Sequence, residues 1–273
     1  MKRSILLVGI VCFSLNIFSQ TYQELSEQAL EWAQKDSLQK AEELFRQALR
    51  LEPANPHNAL LFSNIGSLQQ RAGKYEDAIE SYTFALNIAP RVVSILLNRA
   101  TVYMEVGKLD KAYVDYCEAL DLDKVNTEAL SMRAYIYIGR RDYNAARIDY
   151  NRLLTIEPNN YNARLGLITL NQKEQKYKDA LELVNKMLEE NSHDAVLYVV
   201  RAGVEQEMNH LELALIDLDK AISIAPNSTE AYILRGEVYL AQKKKTQAKA
   251  DFEKAISLGV LSTDLREYLQ QCK

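Results

Sequence analysis

The sequence predicts an all-α solenoid of stacked helical hairpins, and three observations carry that expectation. Six stretches of 34 residues run end to end from Ala59 to Ser262 without an insertion or deletion. Small residues recur at fixed positions within that period. Apolar residues recur at helical spacing on both sides of a break near position 15 of each stretch, which reads as two amphipathic helices joined by a turn.

Counted from the first residue of each stretch, position 8 holds Gly66, Ala100, Ala134, Ile168, Ala202 and Gly236, and position 20 is Ala throughout, from Ala78 to Ala248. Position 24 holds Tyr82, Tyr116, Tyr150, Val184, Leu218 and Phe252, and position 27 holds Ala85, Ala119, Leu153, Met187, Ala221 and Ala255. Pro90, Pro158 and Pro226 fall at position 32. A seventh copy lies upstream, with Ala29, Trp32, Ala41, Phe45, Ala48 and Pro53 on the pattern, and Pro56, His57 and Asn58 separate it from the rest.

The period and the small, small, aromatic, small, proline spacing resemble the tetratricopeptide repeat family. The resemblance covers residues 22–262 as seven repeats: 22–55, 59–92, 93–126, 127–160, 161–194, 195–228 and 229–262. It implies a right-handed superhelix whose concave face is lined by the first helix of each repeat. A single hairpin cannot bury its apolar face, so each repeat relies on its neighbours.

Local signals assign the ends of the elements. Thr21 and Glu24 have the spacing of a capping box for the first helix, and Gly73 and Gly107 suit a left-handed helix C-cap. Small residues at positions 8 and 20 are expected to face each other across the hairpin, so Ile168 should loosen the fifth repeat. Proline at position 32 stops the second helix, a signal lost where Lys124, Ser192 and Val260 replace it. Residues 263–273 are expected to form a capping helix with Leu265 and Leu269 on one side.

Position 7 is arginine in four repeats, Arg99, Arg133, Arg201 and Arg235, and position 23 of the same four is Asp115, Asp149, Asp217 and Asp251. The other three repeats carry neither. Pairing within a repeat satisfies all four arginines, whereas pairing each aspartate with the next repeat's arginine satisfies two. Structural salt bridges inside the hairpin are therefore expected, costly to break from one side.

Residues 1–19 read as a secretory signal peptide, with Lys2 and Arg3 before an apolar stretch and Ser19 at the best cleavage point. The stretch is too short for a membrane span, and Gly9 to Cys12 lacks the pattern of a lipid-attachment box. Export to the periplasm, outer membrane or medium of a Gram-negative bacterium is the resulting expectation. Loss of Lys2 and Arg3 takes the formal net charge from −4 to −6, which gives no electrostatic footprint for nucleic acid. Cys117 and Cys272 remain, several repeats apart, and the stack rather than a disulfide is expected to hold the fold.

No catalytic constellation emerges. His57, His193 and His210 fall at turns and junctions without metal-ligand spacing, and no glycine-rich loop would cradle a phosphate. No cofactor or metal is expected. The family resemblance places function on the concave face, where the residues that differ between repeats are Leu97, Met104, Tyr135, Ile138, Leu165 and Val199 in an apolar middle, Gly203 inside a helix, and Glu207, Glu230 and Glu237 at an acidic end. A non-enzymatic scaffold that binds a protein or peptide segment is the reading these residues favour. The alternatives are a self-associating structural component, or a helical-repeat enzyme or glycan-binding protein.

Overall fold

The computed structural model describes residues 20–273; the expected signal peptide lies outside them. The described residues form fifteen helices: α1 (Tyr22–Gln34), α2 (Leu38–Leu51), α3 (Asn58–Arg71), α4 (Tyr75–Ile88), α5 (Val93–Glu105), α6 (Leu109–Leu122), α7 (Thr127–Gly139), α8 (Tyr143–Ile156), α9 (Tyr161–Lys173), α10 (Tyr177–Glu190), α11 (Ala195–Glu207), α12 (Leu211–Ile224), α13 (Thr229–Ala241), α14 (Lys245–Ser257) and α15 (Arg266–Gln271). Two compact units divide after Leu122, so α1–α6 belong to the first and α7–α15 to the second. Within each unit consecutive helices pack as hairpins, and the second helix of one hairpin packs on the first helix of the next.

Each hairpin turns on one left-handed residue: Asp36, Gly73, Gly107, Arg141, Gln175, Asn209 or Lys243, with φ between 58° and 72°. The following amide reaches back to the helix it leaves, as Lys74 N to Gln69 O at 2.8 Å and Asp142 N to Tyr137 O at 2.9 Å, which is the Schellman arrangement. Glycine takes this conformation freely, whereas a Cβ is crowded by the adjacent carbonyl. Gln175→Gly is therefore expected to raise stability by about 0.5–1 kcal/mol. A urea midpoint unchanged or lowered would show that the left-handed turn carries no such strain.

The last residue of one repeat caps the first helix of the next. The side chains of Asn126, Asn160, Asp194 and Ser228 accept from the amides of Ala129, Ala163, Val196 and Ala231 at 2.9–3.3 Å, satisfying donors the helix leaves open. These caps explain a departure from expectation. α6 and α10, with Lys124 and Ser192 in place of proline, end at the same repeat position as α4, α8 and α12. Ahead of α1, Thr21 and Glu24 form the reciprocal capping box, at 3.2 and 2.8 Å.

The core also corrects which positions meet. A Cβ built on Gly66 falls 2.9 Å from the Tyr82 ring, and one built on Gly236 falls 2.6 Å from the Phe252 ring. Position 8 is small because the ring at position 24 lies against it, not only because of the alanine at position 20. In the fifth repeat the bulk is exchanged: Ile168 and Val184 are both fully buried in one cluster. α9 and α10 nevertheless approach each other less closely than the helices of the other hairpins, as a larger residue at position 8 requires.

The terminal helix is shorter than expected, beginning at Arg266 after a turn. Leu265 is buried, Leu269 is half-buried, and Tyr268 stacks on Phe252 with ring centroids 5.1 Å apart. These contacts cover the apolar face of the last hairpin.

Arg99, Arg133, Arg201 and Arg235 each grip the aspartate of their own hairpin with two nitrogens, at 2.6–2.8 Å. The aspartates are buried, and the arginines lie partly under tyrosines such as Tyr103 and Tyr198, within cation–π reach. Arg99, Arg201 and Arg235 also reach back one repeat, to Thr83 Oγ1 at 3.1 Å, to Asn185 Oδ1 at 2.7 Å and to Asp219 Oδ1 at 2.6 Å respectively. The guanidiniums of Arg99, Arg201 and Arg235 thus join their own hairpin and tie it to the preceding one.

Candidate functional site

In the second unit α7, α8 and α9 enclose an open cavity of about 450 Å³. Met132, Tyr135, Ile138, Tyr150, Leu165 and Gly166 form its apolar walls, and Ser131, Asn162 and Thr169 its polar rim. Tyr135 stands 59% exposed over it, while Ile138 and Leu165 are half-buried. Tyr150 comes from the second helix of its hairpin and lies across α9. A Cβ on Gly166 would meet the Tyr150 Cζ at 2.2 Å, so glycine at 166 is what admits the ring. Burial pushes the Tyr150 phenol up to about 12, with Tyr135 and Asp149 adding to the effect, and it stays protonated at ordinary pH.

The first unit has its own concavity, about 640 Å³, between α1 and α3. Leu30 and Leu60, 46% and 61% exposed, line it beside Tyr22, Ser26 and Glu52.

The residues expected on the concave face divide between surface and interior. Tyr135, Ile138 and Leu165 meet in one cavity. Met104 and Val199 are half-buried, Val199 against the cluster of α11, α12 and α13. Leu97 is buried in the first unit, because position 5 turns inward there: Ser63 at the same position of α3 is buried too. It belongs to the core and not to a contact surface. Glu207 and Glu230 are exposed. Glu237 is half-buried and takes the hydroxyl of Tyr268, an interaction that raises the Tyr268 phenol, so the acidic end consists of two open carboxylates.

Gly203 has no close neighbour; a Cβ there would lie 3.8 Å from Gln172 Nε2 and 3.9 Å from Leu234 Cδ2. Gly203→Ala is expected to stabilise the chain by about 1 kcal/mol, read as a rise in thermal midpoint. A fall would mean that packing, not composition, selects glycine there.

Met132 and Gly166 are cavity residues that the repeat positions did not single out, whereas Tyr150 stands at packing position 24 and Leu30 at position 9 of the first repeat, as Tyr135 does in the fourth. Gly166 was the available signal, a glycine in a helix interior with no turn to make. The histidines form no cluster: His57 and His193 are exposed, and His210 Nδ1 pairs with Glu205 Oε2 at 2.7 Å. Among the described residues no group of three or more His, Cys, Asp or Glu is placed to hold a metal. No described helix is long and apolar enough to cross a membrane. Neither Cys117 nor Cys272 forms a disulfide among the described residues.

Family profiles described as tetratricopeptide repeat match residues 64–127, 127–160 and 229–258. The crystal structure of a tetratricopeptide repeat protein from Parabacteroides merdae superposes with a TM-score of 0.85 at 35% identity, covering 93% of this chain and 99% of that one. Among curated proteins, the Hsp70-Hsp90 organizing protein of Triticum aestivum is 25% identical over 100 residues, 37% of this chain. The DnaJ homolog subfamily C member 7 homolog of Dictyostelium discoideum is 31% identical over 97 residues, 36% of this chain. The match covers 17% of the length of each of these two. With seven helical hairpins, six of them in unbroken register, and a solved relative alike over nearly its whole length, the chain belongs to the tetratricopeptide repeat family, whose fold is typically a non-catalytic scaffold for protein–protein interaction.

Proposed function

We propose that this chain is a non-enzymatic scaffold of the bacterial envelope that holds a segment of another protein against α7 and α9. The observation that carries the reading is the large exposed ring of Tyr135 over an apolar cavity. Aromatic side chains beside a pocket are the usual anchors of protein contacts. Glu207 and Glu230 lie in the same unit and favour a partner segment that also carries basic residues. The leader read from residues 1–19 supports export, and the Parabacteroides merdae relative supports a bacterial setting.

A photo-crosslinking side chain placed at Tyr135 tests the contact in cells. A discrete crosslinked partner is expected from position 135 and none from position 148, where Ile148 is 66% exposed on α8 outside the cavity. Equal crosslinking from both positions, or none from either, would discard the cavity as the contact site. For export, N-terminal sequencing of the chain recovered from envelope fractions should find a mature end following Ser19. A full-length chain confined to the cytosol would overturn that part of the reading.

A further inference from the structure

The second and fourth repeats both carry tyrosine at position 24, and the two hydroxyls end differently. Tyr82 Oη lies 2.9 Å from Ser67 Oγ, a partner supplied by position 9 of its own hairpin. In the fourth repeat position 9 is Tyr135, whose side chain stands out toward solvent. No group among the described residues hydrogen-bonds the Tyr150 hydroxyl. Tyr150 is nevertheless only 4% exposed, and its hydroxyl end lies over Gly166 in the wall of the cavity.

The Tyr150 hydroxyl is not closed off among the fully buried polar atoms; it is open at the cavity wall, where the acceptor of a ligand can reach it. The phenol remains protonated, so it offers a donor. The side chains lining the cavity carry no charge, which provides no cation for a carboxylate and suits a neutral acceptor. The cavity has room for one side chain with its flanking main chain. An extended segment presents carbonyls at regular intervals beside alternating side chains.

We propose that the Tyr150 hydroxyl donates to a main-chain carbonyl of an extended partner segment, whose neighbouring apolar side chain fills the cavity between Tyr135, Ile138 and Leu165. The assignment rests on the binding reading above and makes Tyr150 its specificity-determining residue. Tyr82, satisfied by Ser67, plays no such part.

The probe is a peptide selected from a random dodecamer library on the immobilised mature chain, kept when Tyr135→Ala weakens its binding. Titrated against the wild type and Tyr150→Phe, it should bind the variant about three- to tenfold more weakly, the effect of one neutral hydrogen bond. The variant retains the ring and should melt no lower than the wild type. Replacing peptide amides one at a time by esters should find one position that weakens binding to the wild type and leaves binding to Tyr150→Phe unchanged. Equal affinity for wild type and Tyr150→Phe overturns the inference while the Tyr135 contact stands. A library that yields only peptides indifferent to Tyr135→Ala overturns both. Dependence on Tyr150 traced to a peptide Asp or Glu side chain, or occupation by a second copy of the chain, overturns the carbonyl assignment.

Discussion

Asp115→Ala is expected to lower the free energy of unfolding by about 3 kcal/mol, the lower end of what breaking a buried ion pair from one side costs. Asp115 is almost wholly buried, and the guanidinium of Arg99 is 17% exposed. Removing the carboxylate leaves a cation with Thr83 and little water to replace two short hydrogen bonds. The double substitution Arg99→Leu with Asp115→Leu should fall within about 1 kcal/mol of the wild type, since apolar residues of similar volume often replace such a pair without loss. The fifth repeat already carries Leu167 and Leu183 at these two positions. Urea titrations of the three proteins decide the matter: equal losses in the single and the double variant would mean that packing, and not the unpaired charge, dominates.

Gly166→Ala is expected to cost about 2 kcal/mol, the range of overpacking in a filled core. The added Cβ would overlap the Tyr150 ring, which is buried and cannot swing away without leaving the wall of the cavity. Adding Tyr150→Leu to that variant should recover most of the loss, because the smaller side chain clears the new methyl group. Gly203→Ala provides the contrast on the next repeat, where open space predicts a gain. Two alanine variants that shift the thermal midpoint in the same direction would refute the contact read at Gly166.

The repeat pattern fixed much of the molecule in advance because it records side chains that meet within one hairpin. The turns, the paired helices and the partners of the four arginines all follow from positions in a single 34-residue period. The hydrogen bonds those arginines make to Thr83, Asn185 and Asp219 were not legible, since the residues before them vary from repeat to repeat. The proline signal misled for a related reason. A polar cap on the next helix stops the chain as well, so α10 ends on schedule beside Ser192 and Asp194.

The candidate site was legible only in part. Tyr135, Ile138 and Leu165 came from the positions the family uses, and they line one cavity. Leu97 came from the same rule and is buried, because a repeat position names a direction on its own helix and not the depth of the neighbours around it. Glu237 likewise is engaged by Tyr268, which sits beyond the last repeat.

By itself the sequence determined the helical hairpins, their number and their register, because a constant period requires the same side chains to bury in the same way each time. Only the tertiary structure decided which of the variable positions face a cavity. It placed Tyr150 over Gly166, a contact between different repeats set by the volume of a ring and the absence of a Cβ, and no periodic pattern encodes that.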